Sequence, residues 1–210
     1  MIRTTRIILF MLLMCFVGIG QAEAKKKDGD DTVAREMFTK MFNMVYGPQG
    51  STLTYKVNIV GLYKTEGTIV YKGKKCYYKD AKGASWFDGK TAYVVKHKQK
   101  EVTIYRGDDE SRDKYMSKFK FNPDQYNFSY TTQGNYYLIT ATVKESSMFG
   151  IKYVTIKAQK ENLYPVSVKV KVAFMHTTVQ ISDFHPGNIS DATFHFPAEK
   201  FKGYKVIDKR

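Results

Sequence analysis

The sequence predicts a mainly β protein with covering helices. One curved antiparallel sheet, an incomplete β-barrel of about ten or eleven strands, is closed by an N-terminal helix and a short lid helix. Three observations predict it. Beyond residue 50 the chain alternates apolar and polar residues in short runs separated by Gly, Pro, Asn and Asp turn signals, the two-residue period of half-buried strands. Residues 32–46 instead carry apolar side chains at helical spacing. With 16 Tyr and 14 Phe in 210 residues, an inward-curving sheet face is rich in large side chains and must be filled or covered.

Residues 1–24 read as a cleavable signal peptide. Arg3 and Arg6 precede an apolar run, Ile7 to Gly20, that is shorter than the roughly 20 residues needed to span a bilayer. Ala22-Glu23-Ala24 matches an A-x-A cleavage site. Cys15 is no acylation site on this pattern, because Met14 before it is not small and the apolar run continues through Phe16-Val17. The expectation is export, a mature start near Lys25, and a soluble periplasmic protein. Residues 25–31 are polar and form a flexible leader, and 32–210 make one domain.

From Thr32 to Tyr46 the apolar positions Val33, Met37, Phe38, Met41, Met44 and Val45 define a broad helical face, ended by Gly47-Pro48. Strands follow. Tyr55, Val57 and Ile59 alternate with polar residues, as do Ile69 and Tyr71, and a third strand spans Lys74 to Asp80. Asp88-Gly89 is a hairpin signal between Ser85-Trp86-Phe87 and Thr91 to Lys96, with Glu101 to Arg106 next. Asp108 to Phe119 breaks the alternation and reads as a short charged helix presenting Tyr115, Met116 and Phe119. Strands resume at Gln125–Thr131, Tyr136–Lys144, Ile151–Ala158, Val166–Phe174 and Thr177–Asp183. Two short segments close the chain, Ala192–Phe196 and Tyr204–Ile207.

Without residues 1–24, which hold Arg3, Arg6 and Glu23, the net charge of +14 becomes +13. The lysines alternate with apolar residues along strands and form no dense cluster, and no helix-turn-helix or zinc-finger pattern occurs, so nucleic acid is not an expected partner. After cleavage Cys76 stands alone and reads as a small buried residue, with no intrachain disulfide. The histidines, His97, His176, His185 and His195, lack metal-ligand spacing, although Asp183, His185 and His195 share the C-terminal region. Asp108-Asp109-Glu110 reads as solvated, and no nucleophile elbow or phosphate loop appears. The chain is expected to be no enzyme and to use no metal or cofactor. Its abundant apolar area fits either an ordinary packed core or an apolar ligand pocket, and composition does not choose between them.

Two stretches resemble the LolA family of periplasmic lipoprotein carriers. The first is Gly67-Thr68-Ile69-Val70-Tyr71-Lys72, then Trp86-Phe87-Asp88-Gly89-Lys90-Thr91-Ala92-Tyr93 and Glu101-Val102-Thr103-Ile104, similar to the family's paired strands around a DGKT-aromatic hairpin. The second is Ile181-Ser182-Asp183-Phe184, then Ile189 to Pro197 with its Phe194-His195-Phe196-Pro197 turn, ending in Val206-Ile207-Asp208. The divergent LolA-like proteins of Bacteroidota are the most similar variety. The resemblance implies an incomplete barrel plugged by helices that swing aside for acylated cargo, and a job carrying lipoproteins from an inner-membrane releasing transporter to an outer-membrane acceptor. The alternative is a module of the same fold that recognises a partner protein at the envelope. A monomer is expected.

Strand parity places the acyl-binding face at Tyr55, Val57, Ile59, Ile69, Tyr71, Tyr93, Val95, Val102, Ile104, Val168, Val170 and Val172, covered by Met37, Phe38 and Met41, with Tyr115, Met116 and Phe119 as lid. A one-residue error in parity moves a strand's whole set to the other face. The family's basic residue that ties lid to sheet is matched here by Gly73, flanked by Lys72 and Lys74 as substitutes.

Overall fold

The computed structural model describes residues 31–59, 63–108, 123–145, 151–173 and 175–210. The expected signal peptide, the leader up to residue 30 and the lid residues Tyr115, Met116 and Phe119 lie outside the described residues. The chain begins with helix α1, Asp31–Tyr46. Twelve strands follow among the described residues. The first six are β1 Ser51–Ile59, β2 Tyr63–Lys72, β3 Lys75–Asp80, β4 Gly83–Phe87, β5 Thr91–Lys96 and β6 Glu101–Arg106. The second six are β7 Tyr126–Gln133, β8 Tyr136–Val143, β9 Ile151–Gln159, β10 Pro165–Val172, β11 Met175–Pro186 and β12 Lys205–Asp208.

All twelve strands form one open sheet in the order β12-β6-β5-β4-β3-β2-β1-β11-β10-β9-β8-β7. Two meanders, β1 to β6 and β7 to β11, join where β1 pairs antiparallel with β11. The first strand therefore sits in the middle of the sheet, and its outermost members, β7 and β12, do not pair with each other. This is the open half-barrel that the strand count and the alternating pattern predicted.

Two details differ from a plain meander. The short segment Ala192–Phe196 is not extended: Asp191–Phe194 forms a 3-10 turn whose first residues are capped by Ser190. Lys205–Asp208 does pair, but parallel to β6, which brings the strand total to twelve. In the sheet, β1 to β6 lie between β11 and β12, and residues 187–204, with their two 3-10 turns, carry the chain across.

Local chemistry fixes the ends of α1. Its terminal amide ladder closes with Gly47 N–H donating to Asn43 O at 2.8 Å. The buried Ser51 hydroxyl donates to Val45 O at 2.9 Å, so the helix end is stapled to the start of β1. Gly50 turns the chain between them with φ +75°; a Cβ there would lie 2.4 Å from Tyr71 O. No residue but glycine fits both the left-handed backbone and the close approach.

Ala34, Phe38 and Met41 form the fully buried stripe of α1. They pack with Tyr126, Phe128, Ile139, Ala141, Val143 and Ala158 of β7, β8 and β9. Phe38 meets Phe128 edge-on at 5.3 Å, and Arg35 covers the same ring at 5.2 Å while pairing with Asp124 at 2.8 Å. Fully burying Phe38 and Met41 contributes about 1.5–3 kcal/mol each. The other end of the helix, Met44 to Tyr46, packs on Leu53, Tyr55, Val57, Ile69 and Tyr71. One helix thus bridges both meanders across the inner face.

Candidate functional site: an apolar cavity beneath the helix

Register decides which face each strand residue occupies. Tyr71 pairs with Cys76 and Ile69 with Tyr78, on the same side as Leu53, Tyr55 and Val57. On β10, Val168 pairs with Val179 on one side and Ile156 on the other, so these three share that face. Between this surface and α1 lies a cavity of ≈ 80 Å³. Helix residues Phe38, Met41, Phe42, Val45 and Tyr46 roof it, and Leu53, Tyr71, Val154, Ile156, Val168 and Val179 contribute to its floor.

Of the expected acyl-binding residues, the structure brings Phe38, Met41, Tyr71 and Val168 into the cavity wall. Tyr55, Val57 and Ile69 lie in the adjoining core, and Met37 packs against the Phe38–Phe128 cluster. Val170 packs with Ile151 and Val154, with Val172 beside them. Ile59 ends β1 opposite Tyr63, and its side chain is outside the described residues.

Tyr93, Val95, Val102 and Ile104 are not on this face. Trp86 pairs with Tyr77 and Tyr93, Tyr93 pairs with Ile104, and Val95 pairs with Val102 and Ala84. Tyr77 in turn pairs with Val70, which is the neighbour, not the partner in parity, of Ile69 and Tyr71. All four residues therefore face away from α1. They are covered there by Phe196, Phe201 and Tyr204 of the C-terminal segment. The alternation in β5 and β6 is genuine, but its apolar phase points outward because the sheet has a second apolar cover on that side.

The sequence reading also missed wall residues. Phe42 lies one turn beyond Phe38 on the same helix stripe, and Leu53, Val154, Ile156 and Val179 face inward by register with residues it did choose. The signal available was pairing: Ile156 and Val179 both oppose Val168.

Polar groups at this face are few and mostly satisfied. Asp80 is buried and accepts four hydrogen bonds, from Lys82 N–H (2.7 Å) and Gly83 N–H (2.9 Å) on Oδ1, and from the Tyr78 (2.6 Å) and Thr65 (3.2 Å) hydroxyls on Oδ2. Tyr55 donates to the Tyr78 hydroxyl at 3.0 Å, completing a relay that meets the cost of burying a carboxylate. Burial and the bond to Asp80 hold the Tyr78 phenol far above its usual range. The Tyr55 ring crosses Gly67, where a Cβ would come within 2.9 Å of the Tyr55 hydroxyl oxygen.

Tyr71 is the exception: its hydroxyl is buried and has no hydrogen-bond partner among the described residues. The Tyr46 ring lies 4.7 Å from its own, and burial together with that phenol raises the Tyr71 pKa well above the ordinary value. The two hydroxyls influence each other electrostatically without meeting the geometry of a hydrogen bond. Cys76 is buried beside them and forms no disulfide.

The lid residues expected to be tied to the sheet near Gly73 lie outside the described residues. Lys72 turns away from the helix, donating to Ile189 O at 2.9 Å and pairing with Asp191 at 3.1 Å, and Lys75 pairs with the same carboxylate at 3.0 Å. What joins this turn to the helix end is backbone: Gly73 N–H donates to Gly47 O at 3.1 Å. Among the described residues no group of three His, Cys, Asp or Glu side chains could hold a metal ion, and no helix is long and apolar enough to cross a membrane.

Among solved structures the fold is similar to that of an uncharacterized conserved protein from Thermus thermophilus. The TM-score is 0.55 at 9% identity, covering 84% of this chain and 99% of that one. It is also similar to MucB in the Pseudomonas aeruginosa MucA/MucB complex, with TM-score 0.50 at 10% identity, covering 80% of this chain and 62% of that chain. A LolA superfamily protein from Nitrosomonas europaea, NE2245, aligns over 79% of this chain and 98% of its own at 9% identity, with TM-score 0.38. The chain shares its fold with the Thermus thermophilus protein and with MucB. No protein-family model and no curated relative matches the chain. At these identities the likeness is one of fold.

Proposed function

We propose that this protein is an exported periplasmic carrier that holds acyl chains of lipoproteins beneath α1 for transfer toward the outer membrane. The observation that carries this reading is the ≈ 80 Å³ apolar cavity walled by Phe38, Met41, Tyr71 and Val168 under a single covering helix. Binding sites for small molecules are usually about 300–1,000 Å³, so the cavity is the closed form and α1 moves outward on loading. Methionines suit that movement: Met37, Met41 and Met44 sit on the buried side of α1 and re-pack at low cost. Each buried methylene is worth about 0.8 kcal/mol, so a palmitoyl-length chain offers on the order of 10 kcal/mol toward displacing the helix.

In this reading residues 1–24 direct export, 25–31 form a leader, and 32–210 are the carrier domain. Tyr115, Met116 and Phe119 complete the lid. An inner-membrane releasing transporter loads the carrier and an outer-membrane acceptor unloads it. It works by binding and release, without covalent chemistry. Acyl contacts are assigned to the helix side of the sheet; Tyr93, Val95, Val102 and Ile104 are assigned to structure.

The test mixes the purified protein with inner-membrane vesicles holding a labelled triacylated lipoprotein. Label is expected to enter the soluble fraction with the wild type and to stay in the vesicles with Met41→Asp. If no cargo becomes soluble while the donor transporter is energised, the carrier reading fails. The second reading, recognition of a partner protein, is favoured by the similarity to MucB, a protein solved in complex with MucA. Capture of one envelope protein with an affinity unchanged by delipidation would establish it instead.

A further inference from the structure

We propose that the Tyr71 hydroxyl is a specificity determinant of the cavity under α1, donating a hydrogen bond to the carbonyl oxygen of an acyl ligand. Acyl compounds are then taken in preference to bare hydrocarbon. The inference rests on the acyl-carrier reading and names the part of the ligand that this site reads.

Two independent observations carry it. The first is the composition of the cavity wall: apart from Tyr46 and Tyr71, every side chain that lines it is apolar. The second is that the Tyr71 hydroxyl, on a residue only 3% exposed, is a buried polar group without a partner among the described residues. Buried polar groups are nearly always hydrogen-bonded, and an orphan marks either a functional site or an ordered water. An unpaired donor weakens folding, and that cost is recovered when a ligand supplies an acceptor.

The chemistry of the donor selects the acceptor. Burial and the adjacent Tyr46 phenol keep Tyr71 protonated well past neutral pH, so it presents O–H and not phenolate. An ester or carboxyl oxygen satisfies that donor, and an alkane does not. Phe38 and Tyr46 both line the cavity and lie eight residues apart on α1, about 12 Å along its axis. A carbonyl held at the Tyr46–Tyr71 end therefore leaves room for the first part of its hydrocarbon tail to run beneath the helix toward Phe38. A site built to pair a polar group discriminates against the analogue lacking it more strongly than an apolar wall discriminates between chain lengths.

The experiment measures displacement of anilinonaphthalene sulfonate from the purified protein by methyl palmitate, palmitate and hexadecane. The wild type is expected to bind a carbonyl-bearing probe about three- to tenfold more tightly than hexadecane. In Tyr71→Phe that preference disappears while hexadecane binding is unchanged, and Tyr46→Phe retains it. Preference for methyl palmitate identifies an acyl ester as the natural source, and preference for palmitate alone identifies a free fatty acid; both support the hydrogen bond. Without ligand, Tyr71→Phe should melt at or above the wild-type temperature, because an unpaired donor has been removed. If Tyr71→Phe leaves the three affinities in their wild-type order, a water alone satisfies the hydroxyl and the proposal falls. If the wild type binds all three probes equally, the proposal falls while the acyl-carrier reading stands. If it binds none of them, the acyl-carrier reading itself fails. Tyr71→Met, which keeps bulk without the hydroxyl, repeats the measurement should the phenylalanine disturb packing.

Discussion

The sheet carries apolar surface on both sides, beneath α1 on the inner face and at β3 to β6 on the outer face, and the two are closed in different ways. On the inner face the cover is α1, a separate element that leaves a ≈ 80 Å³ cavity and an orphaned hydroxyl beneath it. On the outer face of β3 to β6 the cover is an aromatic stack. Phe196 lies flat on Tyr93 at 4.5 Å and edge-on to Trp86 at 5.4 Å, Phe201 stacks on Phe196 at 5.3 Å, and Tyr77 leans on Trp86 at 5.1 Å. The outer cover is also fixed at both ends, by Asp191 between Lys72 and Lys75 and by β12 paired with β6. The inner cover is tied at its C-terminal end through Ser51, Gly47 and Gly73, and near its N-terminal end through the Arg35–Asp124 ion pair. One apolar surface is sealed by stacked rings; the other is covered by one helix over a cavity.

The largest expected effect tests the shut face. Trp86→Ala removes the ring on which Tyr77, Phe196 and Phe201 meet, and should cost about 3–5 kcal/mol in urea unfolding, with acyl-probe affinity of the folded protein unchanged. Loss of probe affinity in a folded Trp86→Ala protein would break the division between the faces. Tyr78→Phe comes next. It removes one donor from the buried Asp80 carboxylate and leaves Tyr55 without its acceptor, for about 1.5–3 kcal/mol by the same measurement.

Hydrogen exchange tests whether α1 opens as the carrier reading requires. Amides of α1 should exchange about tenfold or more faster than those of β4 and β5, because the helix opens locally while the aromatic stack does not. Equal protection would mean that the helix is no lid. The smallest effect belongs to Asp191→Asn, since all three partners are partly exposed. The lysine pair, Lys75 first and then Lys72, lowers the Asp191 pKa. Its contribution is therefore present above the ordinary carboxylate value, about pH 4, and is lost as pH falls through the lower folded value. Wild type and Asp191→Asn should differ slightly in melting temperature at pH 6 and converge in strong acid, as a pair of thermal scans would reveal.

Much of this architecture was legible in the chain itself. Helical spacing from Val33 to Val45 located α1 to within one residue, and two-residue alternation located the strands, because both periods follow from backbone geometry alone. Asp88-Gly89 marked its turn: Asp88 Oδ1 accepts from Lys90 and Thr91 N–H, and Gly89 takes φ +100°. Part of the site was legible too, since Phe38 and Met41 are on the only apolar stripe of the only long helix among the described residues.

What failed was the assignment of Tyr93, Val95, Val102 and Ile104 to the inner face. Alternation states that a strand has an apolar side; it does not state toward which cover that side turns. Val70 and Ile69 are adjacent, both apolar and both buried, yet they point to opposite layers. Lys72 in turn holds the C-terminal segment 117 residues away in sequence, a contact that no local pattern announces. The sequence by itself determined the elements, their approximate limits and the supply of apolar surface. Tertiary structure alone decided which surface is sealed by rings and which by a helix over a cavity, because that choice depends on register and on contacts between segments far apart in the chain. It also left Tyr71 unpaired beneath that helix, in a wall otherwise almost wholly apolar.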